Sequence, residues 1–136
     1  MVQPIKIFLG DLTYNTIGMS TEVFPLNIGY IAAYCKKQFG SQVDITLFKY
    51  IDELENAIIE NPPDILGLSN YVWSYRIGLE MFNLVCTQNP NAVTVWGGPN
   101  FPQDLETQKS FMKKCTDVDF MFQLKVKLDF LILLRR

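Results

Sequence analysis

The sequence predicts an α/β domain, a doubly wound three-layer sandwich built on a parallel sheet of about five strands. Three observations predict it. Short apolar runs alternate with helical stretches of roughly 10–15 residues along the first 120 of the 136 residues. That alternation implies crossover connections and parallel pairing, and right-handed crossovers leave the doubly wound arrangement as the economical solution. The composition, 49% hydrophobic and 19% charged, suits a chain that buries roughly 68% of its unfolded surface on folding.

The elements follow in order. Ile5-Lys6-Ile7-Phe8-Leu9 reads as a buried strand closed by a turn at Gly10-Asp11. Pro25 to Phe39 carries Leu26, Ile28, Tyr30, Ile31, Ala33 and Tyr34 at helical spacing, with Pro25 suited to a first turn and Gly40 to a stop. Val43 to Phe48 alternates as a second strand, and Ile51 to Glu60 forms a short helix ended by Asn61-Pro62-Pro63. Asp64 to Ser69 is the third strand, Tyr75 to Thr87 the third helix and Ala92 to Trp96 the fourth strand. Gln103 to Cys115 is a fourth helix, and Val118 to Phe120 opens a fifth strand. The expected type is flavodoxin/Rossmann-like, with one domain over residues 1–120.

Composition excludes several functions. A net charge of −2 and a pI near 5.0 argue against general nucleic-acid binding. No apolar run approaches a membrane span, no signal peptide is expected, and the chain reads as cytoplasmic. Cys35, Cys86 and Cys115 lie at long, irregular spacings, which fits buried reduced thiols better than disulfides or a metal site. The chain has no histidine at all. Ser-His-Asp and Cys-His catalysis, imidazole-held zinc and histidine-ligated haem are thereby excluded.

In open α/β sheets, ligands bind outside the carboxyl ends of the strands, near the reversal of strand order. That rule selects the segment from Gly10 to Thr21, which contains Asp11, Thr13, Tyr14 and Gly18. It also selects Ser69-Asn70-Tyr71-Val72-Trp73-Ser74-Tyr75 after the third strand and Gly97-Gly98-Pro99-Asn100 after the fourth. Paired glycines let a ligand approach backbone N–H groups without a Cβ in the way. Each feature has a plainer reading: Gly97-Gly98-Pro99 as a tight turn, Ser69 as a strand-end hydrogen bonder, Asp11 as a cap. The alternating Tyr71, Trp73 and Tyr75 also suit packing on a helix. Their joint placement at strand ends is the signal.

Three stretches carry a family likeness. They are Val23-Phe24-Pro25-Leu26-Asn27-Ile28-Gly29-Tyr30-Ile31-Ala32-Ala33-Tyr34, Pro63-Asp64-Ile65-Leu66-Gly67-Leu68-Ser69 and Val95-Trp96-Gly97-Gly98-Pro99. With them the chain resembles, over residues 4 to about 120, the N-terminal cobalamin-binding domain of the cobalamin-binding radical S-adenosylmethionine proteins. The resemblance implies cobalamin as cofactor, held by Asp11, Thr13, Tyr14, Gly18, Ser69, Asn70, Tyr71, Trp73, Gly97, Gly98 and Pro99. Gly97 and Gly98 would admit the nucleotide tail, Ser69 would hydrogen-bond it, and Tyr71 and Trp73 would cover corrin edges. A side chain at Gly98 is expected to project where the tail passes.

Related cobalamin folds carry D-x-H-x-x-G, S-x-L and G-G, the histidine being the lower ligand to cobalt. Here Asp11 and Gly18 bracket a segment with Thr13 in the place of that histidine, and Tyr71 replaces the leucine. The resemblance therefore implies cobalamin without a protein ligand beneath the metal. The radical S-adenosylmethionine half is missing from the chain: there is no CxxxCxxC motif, so no iron–sulfur cluster is expected.

Residues 121–136 read differently. Lys125, Lys127, Arg135 and Arg136 against Asp129 give this tail a charge of +3, leaving −5 on residues 1–120. The family continues its fifth strand with a glycine and an acidic turn. Codons for this tail can be chosen so that a neighbouring frame encodes such a continuation, so a frameshift near residue 121 is expected. The rival is a native strand followed by an amphipathic helix. The alternative function is a flavodoxin-like nucleotide- or flavin-binding domain or a non-catalytic interaction domain, although no Thr/Ser-rich phosphate loop of the flavodoxin type follows the first strand.

Overall fold

The computed structural model describes residues 2–14, 24–123, 130 and 132–135. Along the chain come β1 (Ile5–Thr13), α1 (Leu26–Phe39), β2 (Val43–Tyr50), α2 (Ile51–Glu60) and β3 (Ile65–Ser69). Then follow α3 (Tyr75–Gln88), β4 (Val93–Gly97), α4 (Leu105–Lys114) and β5 (Phe120–Phe122). The five strands form one sheet in the order β2-β1-β3-β4-β5, and every pairing is parallel. This is the doubly wound α/β sandwich of flavodoxin-like order, whose strand order reverses between β1 and β3.

The strand residues explain the layering. All five residues of β3 are buried, as a central parallel strand covered on both faces requires. Successive side chains then feed two cores. Phe8, Leu12, Leu66, Leu68 and Trp96 pack with Leu54, Ile58, Phe82 and Val85 beneath α2 and α3. Ile7, Leu9, Ile65 and Val95 pack with Ile28 and Cys35 of α1 and with Phe130 on the other face. Residues 130 and 132–134 are helical, and Leu133 and Leu134 lie against this second core. Burial pushes the Cys35 thiol up to about 11, which suits a core cysteine.

Several element ends differ from the sequence reading by a few residues, with β2 running on to Tyr50 and α4 starting only at Leu105, and two of the differences have a clear physical cause. β1 does not end at Leu9 but continues through Gly10 and Asp11, and Thr13 pairs with Tyr50 of β2 after a register shift. Gly10 is a close-approach residue: a Cβ there would meet the Leu68 side chain at 2.7 Å. The fifth strand starts at Phe120 rather than Val118, because Asp119 clamps β4 first. Thr94 N–H donates to Asp119 Oδ2 (2.8 Å) and Asp119 N–H donates to Thr94 Oγ1 (2.9 Å). The helices stop where expected: Gly40 (φ +54°) ends α1 with its N–H donating to the Lys36 carbonyl. Asp104 caps α4 by accepting from Thr107 N–H at 2.9 Å.

Candidate functional site

At the reversal point the connections diverge to opposite faces, leaving a crevice between the carboxyl ends of β1, β3 and β4. A cavity of about 210 Å3 lies there, against α1. Its floor is one register row, Leu9 opposite Gly67 opposite Val95, closed by Ile28, Ile31 and Phe130. Its mouth, two residues nearer the edge, holds Ser69 paired with Gly97, together with Gly98, Asn27 and Tyr71. A second, larger cleft of about 540 Å3 shares Asn27 and Tyr71 with the first. Asp11, Thr13, Lys49 and Trp73 line it, as do Phe24 and Pro25 before α1 and Leu26 at its start.

Asn27 ties this edge together. Its Nδ2 donates to Ser69 Oγ at 2.9 Å and reaches the Tyr71 hydroxyl at 3.5 Å, while its Oδ1 accepts from Ile28 N–H at 2.8 Å. Burial pushes the Asp11 carboxyl above its ordinary value of 3.8, and hydrogen bonds from Asn27 and Ser69 pull it part of the way back. Ser69 Oγ thus accepts from Asn27, and its hydroxyl is one of the two groups that hold the Asp11 carboxyl down.

The aromatics divide. Tyr71 stacks on Trp73 at 4.6 Å with the rings 4° from parallel, and Trp73 is 61% exposed at the rim. Tyr75 instead turns inward, stacked on buried Trp96 at 5.3 Å. The turn over Val72–Ser74 sets this direction: Tyr71 N–H donates to Ser74 Oγ (3.2 Å), which donates to the Ser69 carbonyl (3.3 Å).

Of the residues selected from the sequence, Ser69, Tyr71, Gly97 and Gly98 line the smaller cavity, and Asp11, Thr13, Tyr71 and Trp73 line the larger cleft. Tyr14 is exposed beyond β1, Pro99 is exposed, and Gly18 lies outside the described residues. Asn70 is buried and occupied within the protein. Its Nδ2 donates to the Asn100 carbonyl (2.8 Å), and its Oδ1 accepts from Asn100 Nδ2 (3.1 Å). Gly98 has φ +143°, and a Cβ there would lie 2.6 Å from the Asn70 carbonyl oxygen. A side chain at Gly98 therefore collides with the loop itself rather than projecting into a ligand's path, and the fold alone demands glycine.

Sequence reasoning missed Asn27 and Phe130. Asn27 carried a signal, a polar residue in the first turn of a helix that starts beside the ligand edge. Phe130 carried none, since a lone aromatic in an apolar run does not reveal which strand it covers.

Comparison with known proteins agrees with this geometry. Residues 15–118 match the family model described as B12 binding domain. The cobalamin-dependent radical SAM methyltransferase TokK of Streptomyces tokunonensis is 30% identical over 112 residues, covering 77% of this chain and 16% of that protein. The 2-(S-pantetheinyl)-carbapenam-3-carboxylate methyltransferase of Streptantibioticus cattleyicolor is 30% identical over 93 residues, covering 63% of this chain and 13% of that one. The chain thus spans about a sixth or less of the length of these relatives. Among solved structures, a cobalamin-binding protein from Desulfitobacterium hafniense shares the fold, with a TM-score of 0.65 and 13% identity over 98% of this chain and 59% of that one. Matched over most of its length, and with its reversal-point crevice intact, the chain belongs to the B12 binding domain family and is related to cobalamin-dependent radical SAM methyltransferases.

Proposed function

We propose that this domain holds cobalamin with the nucleotide base in the smaller cavity and the corrin at the larger cleft, with no protein side chain bound to cobalt from below. The observation that carries the reading is the shared border of the two spaces. A cavity of about 210 Å3 is below the roughly 300–1,000 Å3 typical of whole ligand sites, so it suits one end of a larger ligand. Asn27 and Tyr71 stand where that ligand would pass into the 540 Å3 cleft. The residues fit the group: an apolar floor for a flat base, polar groups at the mouth for a ribose phosphate, and stacked aromatics for a corrin edge.

The chain's own residues supply no lower ligand. There is no histidine in the sequence, and Thr13, at the D-x-H position, offers a neutral hydroxyl, a weak donor beside imidazole. Asp11 is engaged with Asn27 and Ser69. Among the described residues, no group of three or more His, Cys, Asp or Glu is placed to hold a metal ion.

On this reading the domain is the cofactor-holding part of a cobalamin-dependent radical S-adenosylmethionine enzyme, where bound cobalamin supplies a methyl group for transfer. Cys35, Cys86 and Cys115 do not provide a cluster motif, so the 136-residue chain alone gives no turnover. Incubation with hydroxocobalamin or FMN followed by desalting tests the cofactor. Retained corrinoid absorbance is expected; retained flavin with no corrinoid would favour the flavodoxin-like alternative.

A further inference from the structure

We propose that Phe130 determines which nucleotide base the smaller cavity accepts, completing an apolar floor that takes an alkyl-substituted benzimidazole and rejects a purine bearing an exocyclic amine. This rests on the cobalamin reading above.

The Phe130 ring is 2% exposed, and its Cε2 lies 3.8 Å from where a Cβ on Gly67 would stand. The ring therefore covers the bare backbone of the central strand at the floor row, beside Leu9 and Val95. The polar side chains of the cavity, Asn27, Ser69 and Tyr71, all belong to the mouth. Parallel ladders on both sides of β3 engage the floor's backbone groups. A base seated on this floor meets carbon. Methyl groups on its buried edge gain from that, whereas an amine's N–H groups find no acceptor and remain unsatisfied. Shortening Phe130 uncovers the Gly67 backbone and gives water room beside the amine.

The test uses the full chain and three corrinoids: cobalamin with dimethylbenzimidazole, the analogue with adenine as lower base, and cobinamide, which ends before the nucleotide. Dissociation constants are measured by absorbance titration for wild type, Phe130→Ala and Phe130→Leu, with thermal unfolding as the check on folding. Wild type is expected to prefer the benzimidazole form by at least about tenfold. Phe130→Ala should bring the two within about threefold while leaving cobinamide unchanged, and Phe130→Leu should fall between. If Phe130→Ala does not fold, the Leu variant decides, and a preference equal to wild type overturns the proposal. Equal wild-type affinity for both bases also overturns it while leaving the cobalamin reading intact. Failure of wild type to bind any of the three removes that reading itself.

Discussion

Asn27 Nδ2 donates to Ser69 Oγ across 2.9 Å, fastening the first turn of α1 to the end of β3. The bond spans the edge at which both clefts meet, so it positions each wall relative to the other. Asn27→Ala leaves Ser69 and Asp11 without this donor. A loss of about 1 kcal/mol in urea unfolding is expected, together with roughly tenfold weaker cobalamin retention. Unchanged retention would show that Asn27 is only a structural tie.

Asp11 makes a pH prediction. Its carboxyl is raised above 3.8 mainly by burial, so the folded state holds the proton more tightly than the unfolded state does. Stability from this group is fully present below the unfolded value and is lost as pH rises through the raised folded value. Asp11→Asn removes that dependence while keeping an acceptor for Asn27 and Ser69. The variant should melt higher than wild type at pH 7, and the difference should shrink as pH falls toward about 4. A gap that widens on acidification would contradict the assignment.

Gly98→Ala tests the loop rather than the ligand. With φ at +143° and the Asn70 carbonyl oxygen 2.6 Å from the new Cβ, strain of about 1–3 kcal/mol is expected. Chemical denaturation reads it in the absence of any cofactor. A variant as stable as wild type would mean that the loop relaxes freely.

Trp73 separates binding from folding. It is exposed and held in place by its stack on Tyr71. Trp73→Ala should change stability by no more than about 0.5 kcal/mol. It should also weaken cobalamin binding by about 1 kcal/mol, the worth of an aromatic contact. Fluorescence tests the same point, because buried Trp96 is the second indole and Trp73 emission should be quenched first on titration.

Much of this architecture was legible because apolar periodicity and turn residues agreed with one another. Asp64 to Ser69 read as the third strand of a parallel sheet, and Gly40 and Asn61 stopped their helices where the apolar spacing ended. The end of β1 was not legible, since Gly10 serves close packing on Leu68 and looks identical to a turn glycine. At the site, Ser69, Tyr71 and the Gly97-Gly98 pair were readable from their positions at strand ends. Asn70 was not separable from them, because its engagement with Asn100 is a contact thirty residues away. Phe130 lay hidden for a related reason: burial against Gly67 is a tertiary fact with no local pattern.

The central claim is that cobalamin sits with its base in the apolar cavity and no protein ligand below cobalt. Electron paramagnetic resonance of the bound cob(II)alamin form tests it most directly, because an axial nitrogen splits each cobalt line into three. Tight retention through desalting with no triplet superhyperfine splitting is the predicted result. Retained cobalamin that shows the triplet would place its benzimidazole still on cobalt, outside the cavity floored by Leu9, Gly67, Val95 and Phe130, and would contradict the account.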